Sequence, residues 1–220
     1  MSDATTLRVS EMFLSIQGES TLAGLPCTFI RLQGCGLRCS WCDTPYALDL
    51  QGECDEYTIG EIAEAVKKFG CNLVELTGGE PLEQEPVHEL MTVLCDSGYR
   101  VMIETGGYRD VKRIDARVKK ILDLKCPSSG MEKKNYLENI AALTSNDEIK
   151  FVIGTEEDYR WTKTIMEKYG LAGRVSVLLS PVFGVLEPVV LSEWILRDHL
   201  DVRLQLQMHK FIWHPDQRGV

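Results

Sequence analysis

The sequence lacks long hydrophobic runs and an excess of positive charge, and each absence disfavours a class of protein. A helix that spans a bilayer needs about 20 consecutive apolar residues, and no run in the 220 residues approaches that length. We therefore expect no transmembrane helix and no membrane partner. Lys plus Arg total 24 against 33 Asp plus Glu, which gives a formal net charge of −9. Because an acidic surface repels polyanions, we also expect no nucleic acid partner.

The first residues, Met1 to Ala4, lack the basic and apolar segments of a secretion signal. We therefore expect a cytoplasmic protein in which the eight cysteines are reduced thiols. Free cysteine commonly packs as a small buried hydrophobe. Five scattered cysteines receive no role on this basis: Cys27, Cys54, Cys71, Cys95 and Cys126. No linker, repeat or low-complexity segment divides the chain, and we predict a single domain over residues 1–220.

Three further cysteines lie close together, Cys35, Cys39 and Cys42, with the spacing C-x3-C-x2-C. So short a loop can turn three thiolates toward one point but cannot offer a fourth ligand. Structural zinc sites use four protein ligands, and catalytic zinc is mostly bound by histidine or carboxylate. A [4Fe-4S] cluster with one open iron fits three cysteines better. Cysteines packed in a core, and a zinc site completed from elsewhere in the chain, remain the alternatives.

This spacing, with Trp41 before the last cysteine, resembles the signature of the radical S-adenosylmethionine (SAM) superfamily. In that superfamily SAM binds the open iron through its methionyl amine and carboxylate, and one electron from the cluster cleaves it to a 5'-deoxyadenosyl radical. Residues 77–81, Thr-Gly-Gly-Glu-Pro, resemble the second motif of the superfamily, which binds the SAM amino group. The resemblance implies that Cys35, Cys39 and Cys42 hold the cluster.

Strands and helices are predicted to alternate along most of the chain. We predict strands at residues 27–32, 73–76, 101–104, 120–124, 148–153, 174–179 and 202–207, and helices at 58–69, 86–97, 112–119, 136–143, 156–169 and 191–199. Residues 9–24 are predicted to be irregular. Such alternation implies parallel strands with right-handed crossovers. About seven strands in this length predict an α/β fold, an open partial (β/α) barrel of mainly parallel strands, with ligands beyond the carboxyl ends of the strands.

Motifs outside the cluster loop narrow the function. Residues 15–19 (Ser-Ile-Gln-Gly-Glu), Arg31, residues 42–44 (Cys-Asp-Thr) and residues 207–210 (Gln-Met-His-Lys) resemble the 7-carboxy-7-deazaguanine synthase family. The resemblance implies a carbon–nitrogen lyase that contracts the ring of 6-carboxy-5,6,7,8-tetrahydropterin to give 7-carboxy-7-deazaguanine and ammonia, on the route to queuosine. The radical takes a hydrogen from C6 and the hydrogen is later returned, so that SAM acts as a cofactor.

The same resemblance implies the site residues. Positions that match SAM contacts are Trp41, Asp43, Gly79, Glu80, Asp123, Lys125, Ser180 and Pro181. Positions that match substrate contacts are Ile16, Gln17, Gly18, Glu19, Arg31, Thr77, His209 and Pro215. Thr44 matches a Mg²⁺ ligand, and a cation with few protein ligands is reasonable for Mg²⁺.

Arg31 has the planar fork of donors that can hold the substrate carboxylate through two parallel hydrogen bonds. The resemblance implies a chain terminus at the position of Pro215 that folds back on the substrate, whereas this chain continues through Val220. A backbone carbonyl, Asp216 or Val220 would then replace the terminal carboxylate, or that contact is lost. We expect Arg31 and the segment 215–220 to hold opposite ends of the substrate.

The partners implied by the resemblance are a small-molecule pterin, an electron donor such as flavodoxin or ferredoxin, and a second copy of the chain in a homodimer. Two alternative functions remain at this point. One is a glycyl-radical-enzyme activase, which would need a wide mouth for a protein loop and no Mg²⁺ threonine. The other is a non-catalytic module that binds zinc through Cys35, Cys39 and Cys42.

Overall fold

The computed structural model describes residues 5–220, in which nine strands form one sheet. The strands are β1 (Thr6–Ile16), β2 (Pro26–Leu32), β3 (Asp55–Thr58), β4 (Leu73–Gly78), β5 (Arg100–Thr105), β6 (Lys119–Leu124), β7 (Glu148–Ile153), β8 (Ser176–Pro181) and β9 (Arg203–Leu204). Their order in the sheet is β3-β1-β2-β4-β5-β6-β7-β8-β9. β1 pairs antiparallel with β2 and β3, and all pairs from β2 to β9 are parallel. The predicted open α/β fold of mainly parallel strands is therefore confirmed.

The α-helices are α1 (Ile59–Phe69), α2 (Val87–Asp96), α3 (Glu156–Tyr169), α4 (Pro188–Arg197) and the short α5 (His209–Ile212). α1 starts at the predicted capping box, in which Thr58 and Glu61 satisfy each other's backbone N–H groups. It ends at Gly70, which has a φ of 66°. No helix among residues 5–220 is both long and apolar enough to cross a membrane.

Several sequence-based predictions of elements are wrong. Residues 9–16 are not irregular, because they belong to the 11-residue strand β1, whereas residues 17–24 form irregular turns as predicted. The mixed-charge stretch 112–119 forms turns instead of a helix, and 202–207 contributes only the two residues of β9. Residues Leu137–Ala142 form a 3-10 helix where an α-helix is predicted.

Each parallel strand sends alternate side chains to opposite faces of the sheet. On one face, Val74, Ile103 and Leu122 pack with the helices in the main core. The opposite, concave face carries a second apolar layer, formed by Phe13, Cys27, Phe29, Leu73, Met102 and Ile121. Further along the same face the strands carry charged side chains: Glu75, Glu104, Asp123 and Lys150. The concave face thus has an apolar base and a charged floor near the carboxyl ends of the strands.

A β-bulge in β1 makes the side chains of this antiparallel strand change faces partway along it. The register of β1 against β2 shifts between Val9 and Glu11. Leu7 and Val9, before the bulge, pack in the main core, whereas Phe13, after it, packs in the concave layer. One extra residue reverses the faces of a strand. The bulge therefore turns Glu11 toward the concave side. Without it, Glu11 would face the main core.

Candidate active site

A cavity of about 280 Å³ opens on the concave side of the sheet, at the carboxyl ends of the parallel strands. Its walls come from the cysteine loop, the loops after the strands and the C-terminal segment. Seventeen of the predicted site residues line it: Ile16, Gln17, Gly18, Glu19, Arg31, Cys35, Cys39, Trp41, Cys42, Asp43, Thr44, Thr77, Gly79, Asp123, Lys125, His209 and Pro215. Residues far apart in sequence therefore meet at one place.

The cysteine loop is held by hydrogen bonds to neighbouring loops. Ser40 donates its N–H to the Ser129 carbonyl (3.1 Å) and its hydroxyl to the Ser128 carbonyl (3.0 Å). The Gly36 N–H donates to the Tyr108 hydroxyl (2.9 Å), and Leu37 is buried beneath the loop. These contacts fix the loop's backbone, and with it the positions of the three thiols.

The Gly-Gly-Glu loop after β4 packs directly on the chain that enters the cysteine loop. Glu80 donates its N–H to the Gly34 carbonyl (2.7 Å). A Cβ on Gly79 would overlap that same carbonyl and approach the Ala47 carbonyl oxygen to 2.7 Å. Gly78 has a φ of 146°, and a Cβ there would overlap the backbone of Leu32. The two glycines are required because two backbones meet without room for a side chain.

Three predicted SAM contacts do not line the cavity: Glu80, Ser180 and Pro181. The Glu80 side chain is fully buried, and burial raises its pKa to about 7. Its carboxylate accepts hydrogen bonds from the Thr105 hydroxyl (2.8 Å) and the Gly106 N–H (2.8 Å), because a buried carboxyl needs donors. Ser180 and Pro181 are buried at the end of β8, and their neighbours Val182 and Phe183 line the cavity in their place.

The donors around the cavity fit a [4Fe-4S] cluster and SAM. Cys35, Cys39 and Cys42 are free thiols that line the cavity, and cysteine sulfur is the ligand of iron–sulfur clusters. Each thiolate of such a cluster binds a different iron, so the sulfurs need not converge. Contrary to the expectation of a single point, no three His, Cys, Asp or Glu side chains in residues 5–220 converge on a single-ion site. The Oδ1 atom of Asp123 is buried and has no hydrogen-bond partner within this part of the chain, so it can accept from a bound ligand.

Lys150 occupies the centre of the charged floor. Its ammonium lies 2.5 Å from Glu104 Oε1, 2.7 Å from Glu19 Oε2 and 3.6 Å from Asp123 Oδ2. Burial alone would lower the pKa of Lys150, but these three carboxylates together raise it well above its ordinary value. Lys150 therefore remains charged and holds the carboxylates at fixed positions.

Glu75 lies beside this group without direct contact to Lys150. Its Oε2 atom accepts a hydrogen bond from the Gln17 side-chain amide. Burial, with the charge of Glu104 as the next cause, raises the pKa of Glu75 to about 8. Glu75 is therefore mostly protonated at neutral pH, so the floor contains a neutral acid beside ionised carboxylates.

The predicted substrate residues at the two ends of the chain are in contact. Gly18 accepts a hydrogen bond from the Met208 N–H (2.9 Å), and a Cβ on Gly18 would overlap the His209 ring. Gln207 donates to Glu19 Oε1 (2.9 Å) and to Asp43 Oδ2 (3.1 Å). Burial lowers the pKa of His209, so this ring is neutral near pH 7.

Arg31 and the C-terminal segment lie on the same side of the cavity. Arg31 donates from Nε to Glu11 Oε1 (2.7 Å), and Arg218 Nε lies 3.9 Å from Glu11 Oε2. The expectation that Arg31 and segment 215–220 lie at opposite ends is therefore wrong for Arg218. Asp216 does not line the cavity, and its side chain is 91% exposed, whereas Val220 does line it.

Thr44 is buried at the rim and donates its hydroxyl to Asp43 Oδ1 (2.9 Å). The Lys210 ammonium lies 3.6 Å from the other oxygen of Asp43. A hydroxyl beside a carboxylate is a donor set of hard oxygens, which suits Mg²⁺ when other ligands come from substrate and water.

The sequence predicted no individual role for several residues that line the cavity: Glu11, Tyr46, Glu75, Glu104, Lys150, Lys210 and Arg218. Of these, Lys210 and Arg218 lie in stretches that the sequence had singled out, residues 207–210 and 215–220. A usable signal existed for some of the others. Glu75 interrupts the run Leu-Val-Glu-Leu, and Lys150 interrupts Glu-Ile-Lys-Phe-Val-Ile. A charge within an apolar strand needs a buried partner or a ligand. Glu11 offered no comparable signal, because its direction depends on the bulge.

Comparison with known proteins agrees with this geometry. Residues 29–185 match the model of the radical SAM superfamily. The chain is 47% identical over 223 residues to a 7-carboxy-7-deazaguanine synthase of Chlorobaculum tepidum, covering 100% of both chains. It is 43% identical to the synthase of Koribacter versatilis, covering 97% of this chain and 100% of that one.

The fold is similar to that of the crystal structure of QueE from Escherichia coli. The TM-score is 0.77 at 23% identity, with 93% of this chain and 95% of that chain covered. On the strength of the full-length sequence matches, the chain belongs to the 7-carboxy-7-deazaguanine synthase family of the radical SAM superfamily.

Proposed function

We propose that this protein converts 6-carboxy-5,6,7,8-tetrahydropterin to 7-carboxy-7-deazaguanine with release of ammonia, as a carbon–nitrogen lyase on the route to queuosine. The observation that supports this most is the uneven charge of the cavity. Arg31 and Arg218 flank the single carboxylate of Glu11 on the β1–β2 side. The floor on β4 to β7 holds more carboxyl groups than cations.

A carboxylated pterin has the complementary charge pattern. Its carboxylate lies at one edge, and the N–H donors of its aminopyrimidine ring lie at the other. Guanidinium groups bind carboxylates well, and carboxylates such as Glu19 accept from ring N–H groups. We propose that Arg31 binds the substrate carboxylate. Gln17, Gly18 and Glu19 would form hydrogen bonds with the aminopyrimidine ring. The remaining walls of the substrate site would come from Ile16, Thr77, His209 and Pro215.

The cofactors of the proposal are a [4Fe-4S] cluster, SAM and Mg²⁺. Cys35, Cys39 and Cys42 would hold the cluster, with Trp41, Asp43, Gly79, Asp123 and Lys125 beside SAM. When bound, the cluster and SAM supply the electron and the radical that removes a hydrogen from the substrate. Thr44 would contribute one oxygen to Mg²⁺, and Asp43 orients that hydroxyl through their hydrogen bond.

The protein's own part in the reaction is to bind and orient. Lys125 lies 3.0 Å from Asp123 Oδ2, so the cation limits repulsion between that carboxylate and other acids of the floor. Lys150 holds Glu19 and Glu104 in place. Protonated Glu75 can donate a hydrogen bond that an ionised carboxylate cannot. An electron donor such as flavodoxin or ferredoxin, a homodimeric state and a cytoplasmic location complete the proposal.

The test is a reaction of the anaerobically reconstituted protein with SAM, Mg²⁺, a reductant and the carboxypterin. We expect a product with the mass of 7-carboxy-7-deazaguanine, and ammonia in equal amount. Cys39→Ala should bind less iron and form no product, because two thiolates cannot hold the cluster. Colourless wild-type protein with stoichiometric zinc would support the zinc-binding alternative and overturn the proposal.

A further inference from the structure

The segment that follows Pro215 forms part of the cavity wall. Gln217, Arg218, Gly219 and Val220 all line the cavity, whereas the Asp216 side chain is directed into solvent beside His214. This segment therefore belongs to the site, as the sequence predicted, but the sequence gave Arg218 itself no role.

Arg218 is held at the wall by Tyr46, which follows the cysteine loop, and by Glu11 of β1. Its guanidinium carbon lies 3.6 Å from the centroid of the Tyr46 ring, which is close enough for a cation–π contact. The Tyr46 hydroxyl donates to Glu11 Oε1 (2.8 Å), and Arg218 Nε lies 3.9 Å from Glu11 Oε2. Ring and carboxylate together position the guanidinium on the cavity side of the segment.

The hydrogen-bonding capacity of this guanidinium is unused. Arg218 donates no side-chain hydrogen bond to any group in residues 5–220, and its side chain is 55% exposed. Arg31 donates only from Nε, so its two terminal nitrogens are also without a partner in the described chain. Two guanidinium groups thus flank the carboxylate of Glu11, with Asp43 as a further acid that acts on Arg31, and both guanidinium groups keep N–H donors for a ligand.

We propose that Arg218 acts with Arg31 as the second guanidinium that binds the carboxylate of the substrate, and that it makes the cavity selective for carboxylated pterins. This inference rests on the proposed function. Arg31 approaches the carboxylate from the strand, and Arg218 approaches from the C-terminal segment. Glu11 and Tyr46 are positioning residues, since they hold the two guanidinium groups without satisfying their terminal nitrogens.

Arg218→Ala tests this inference with Asp216→Ala as the matched control. Asp216 lies two residues away, in the same segment, but outside the cavity wall. The probes are 6-carboxypterin, a fluorescent oxidised analogue of the proposed substrate, and the corresponding 6-carboxamide, which has no negative charge. The measurements are the Kd of each probe, the KM of the substrate, the KM of SAM and the iron content.

We expect Arg218→Ala to weaken binding of 6-carboxypterin by about 10-fold to 100-fold, which corresponds to one hydrogen bond to a charged group. Binding of the carboxamide, the KM of SAM and the iron content should not change. Arg218→Lys should recover part of the affinity, because it restores the charge but not the planar fork. Truncation after Pro215 should behave like Arg218→Ala, and Asp216→Ala like wild type.

Equal weakening of both probes would mean that Arg218 only anchors the segment, and unchanged binding of 6-carboxypterin would mean that it does not contact the carboxylate. Either result overturns the inference while wild-type product formation leaves the proposed function intact. If the wild type forms no product and binds neither probe, the proposed function itself fails, and the inference with it.

Discussion

The Glu75 carboxyl is buried on the concave face beside Gln17. Its pKa of about 8 keeps it mostly protonated at neutral pH in the folded protein. An unfolded glutamate has a pKa near 4.5. Between these two values the folded state holds a proton that the unfolded state releases. The contribution of Glu75 to the stability of the folded state is complete below pH 4.5. It is lost as the pH rises through about 8, the pKa in the folded state.

Glu75→Gln should therefore change the pH dependence of stability. In wild type this group lowers the free energy of unfolding by up to about 1.4 kcal/mol per pH unit between the two pKa values. Glutamine keeps the shape of the neutral acid and does not titrate, so the variant should lose this contribution. Urea unfolding at several pH values from 5 to 8 measures it. Identical slopes in variant and wild type would contradict the raised pKa.

Lys150 illustrates how far a single sequence predicts the roles of individual residues. The cysteines, the Gly-Gly-Glu loop and the Gln-Met-His-Lys stretch carry short local patterns, and the sequence alone predicted their meeting. Lys150 acquires its role only from carboxylates that lie 131 and 46 positions away in the sequence. Such partners are set by the stacking of strands, which one sequence does not specify.

At the scale of elements, the loop after β4 and the loop after β2 depend on each other. Gly79 touches the Gly34 carbonyl, and Glu80 bonds to the same group. The cysteine loop continues directly from Gly34. Any displacement of one loop therefore moves the proposed cluster ligands relative to the proposed SAM site.

Gly79→Ala should disrupt this contact. The new Cβ would meet backbone atoms that cannot move independently, and overpacking of this kind costs about 1–3 kcal/mol. We expect lower thermal stability and reduced iron incorporation after anaerobic reconstitution.

Gly60→Ala is the matched control. Gly60 lies in α1, and a Cβ there meets nothing within 4 Å. Alanine should stabilise the helix by about 0.5–1 kcal/mol and leave the iron content unchanged. Wild-type stability and iron content in Gly79→Ala would refute the close packing of the two loops.

The elements that sequence reasoning missed share a physical cause. β1 contains a bulge that breaks its alternating pattern, so residues 9–16 lacked the signal of a strand. β9 has two residues and β3 has four, both at the edges of the sheet. Short edge strands are set by pairing with a neighbour more than by their own composition. The buried parallel strands and the capped helix α1 carry strong local patterns, and these were predicted close to their observed bounds.

At the scale of the whole molecule, the partial barrel brings an apolar base, a charged floor and a cysteine loop together on its concave side. The base packs on the concave face, the acids and Lys150 lie above it, and the three cysteines line the same cavity. The acidic net charge of −9 is compatible with binding a carboxylate, because Arg31 and Arg218 lie together beside Glu11. This arrangement suits the proposed substrate, a small molecule with one carboxylate edge.

The central claim is that this cavity contracts a carboxylated pterin while SAM is used as a cofactor. The most direct measurement is the molar ratio of product formed to SAM consumed in a single anaerobic reaction, with both followed by mass spectrometry. The account predicts 7-carboxy-7-deazaguanine in clear molar excess over 5'-deoxyadenosine, because the abstracted hydrogen is returned. Consumption of SAM without this product, or with one SAM lost for each product formed, would contradict it.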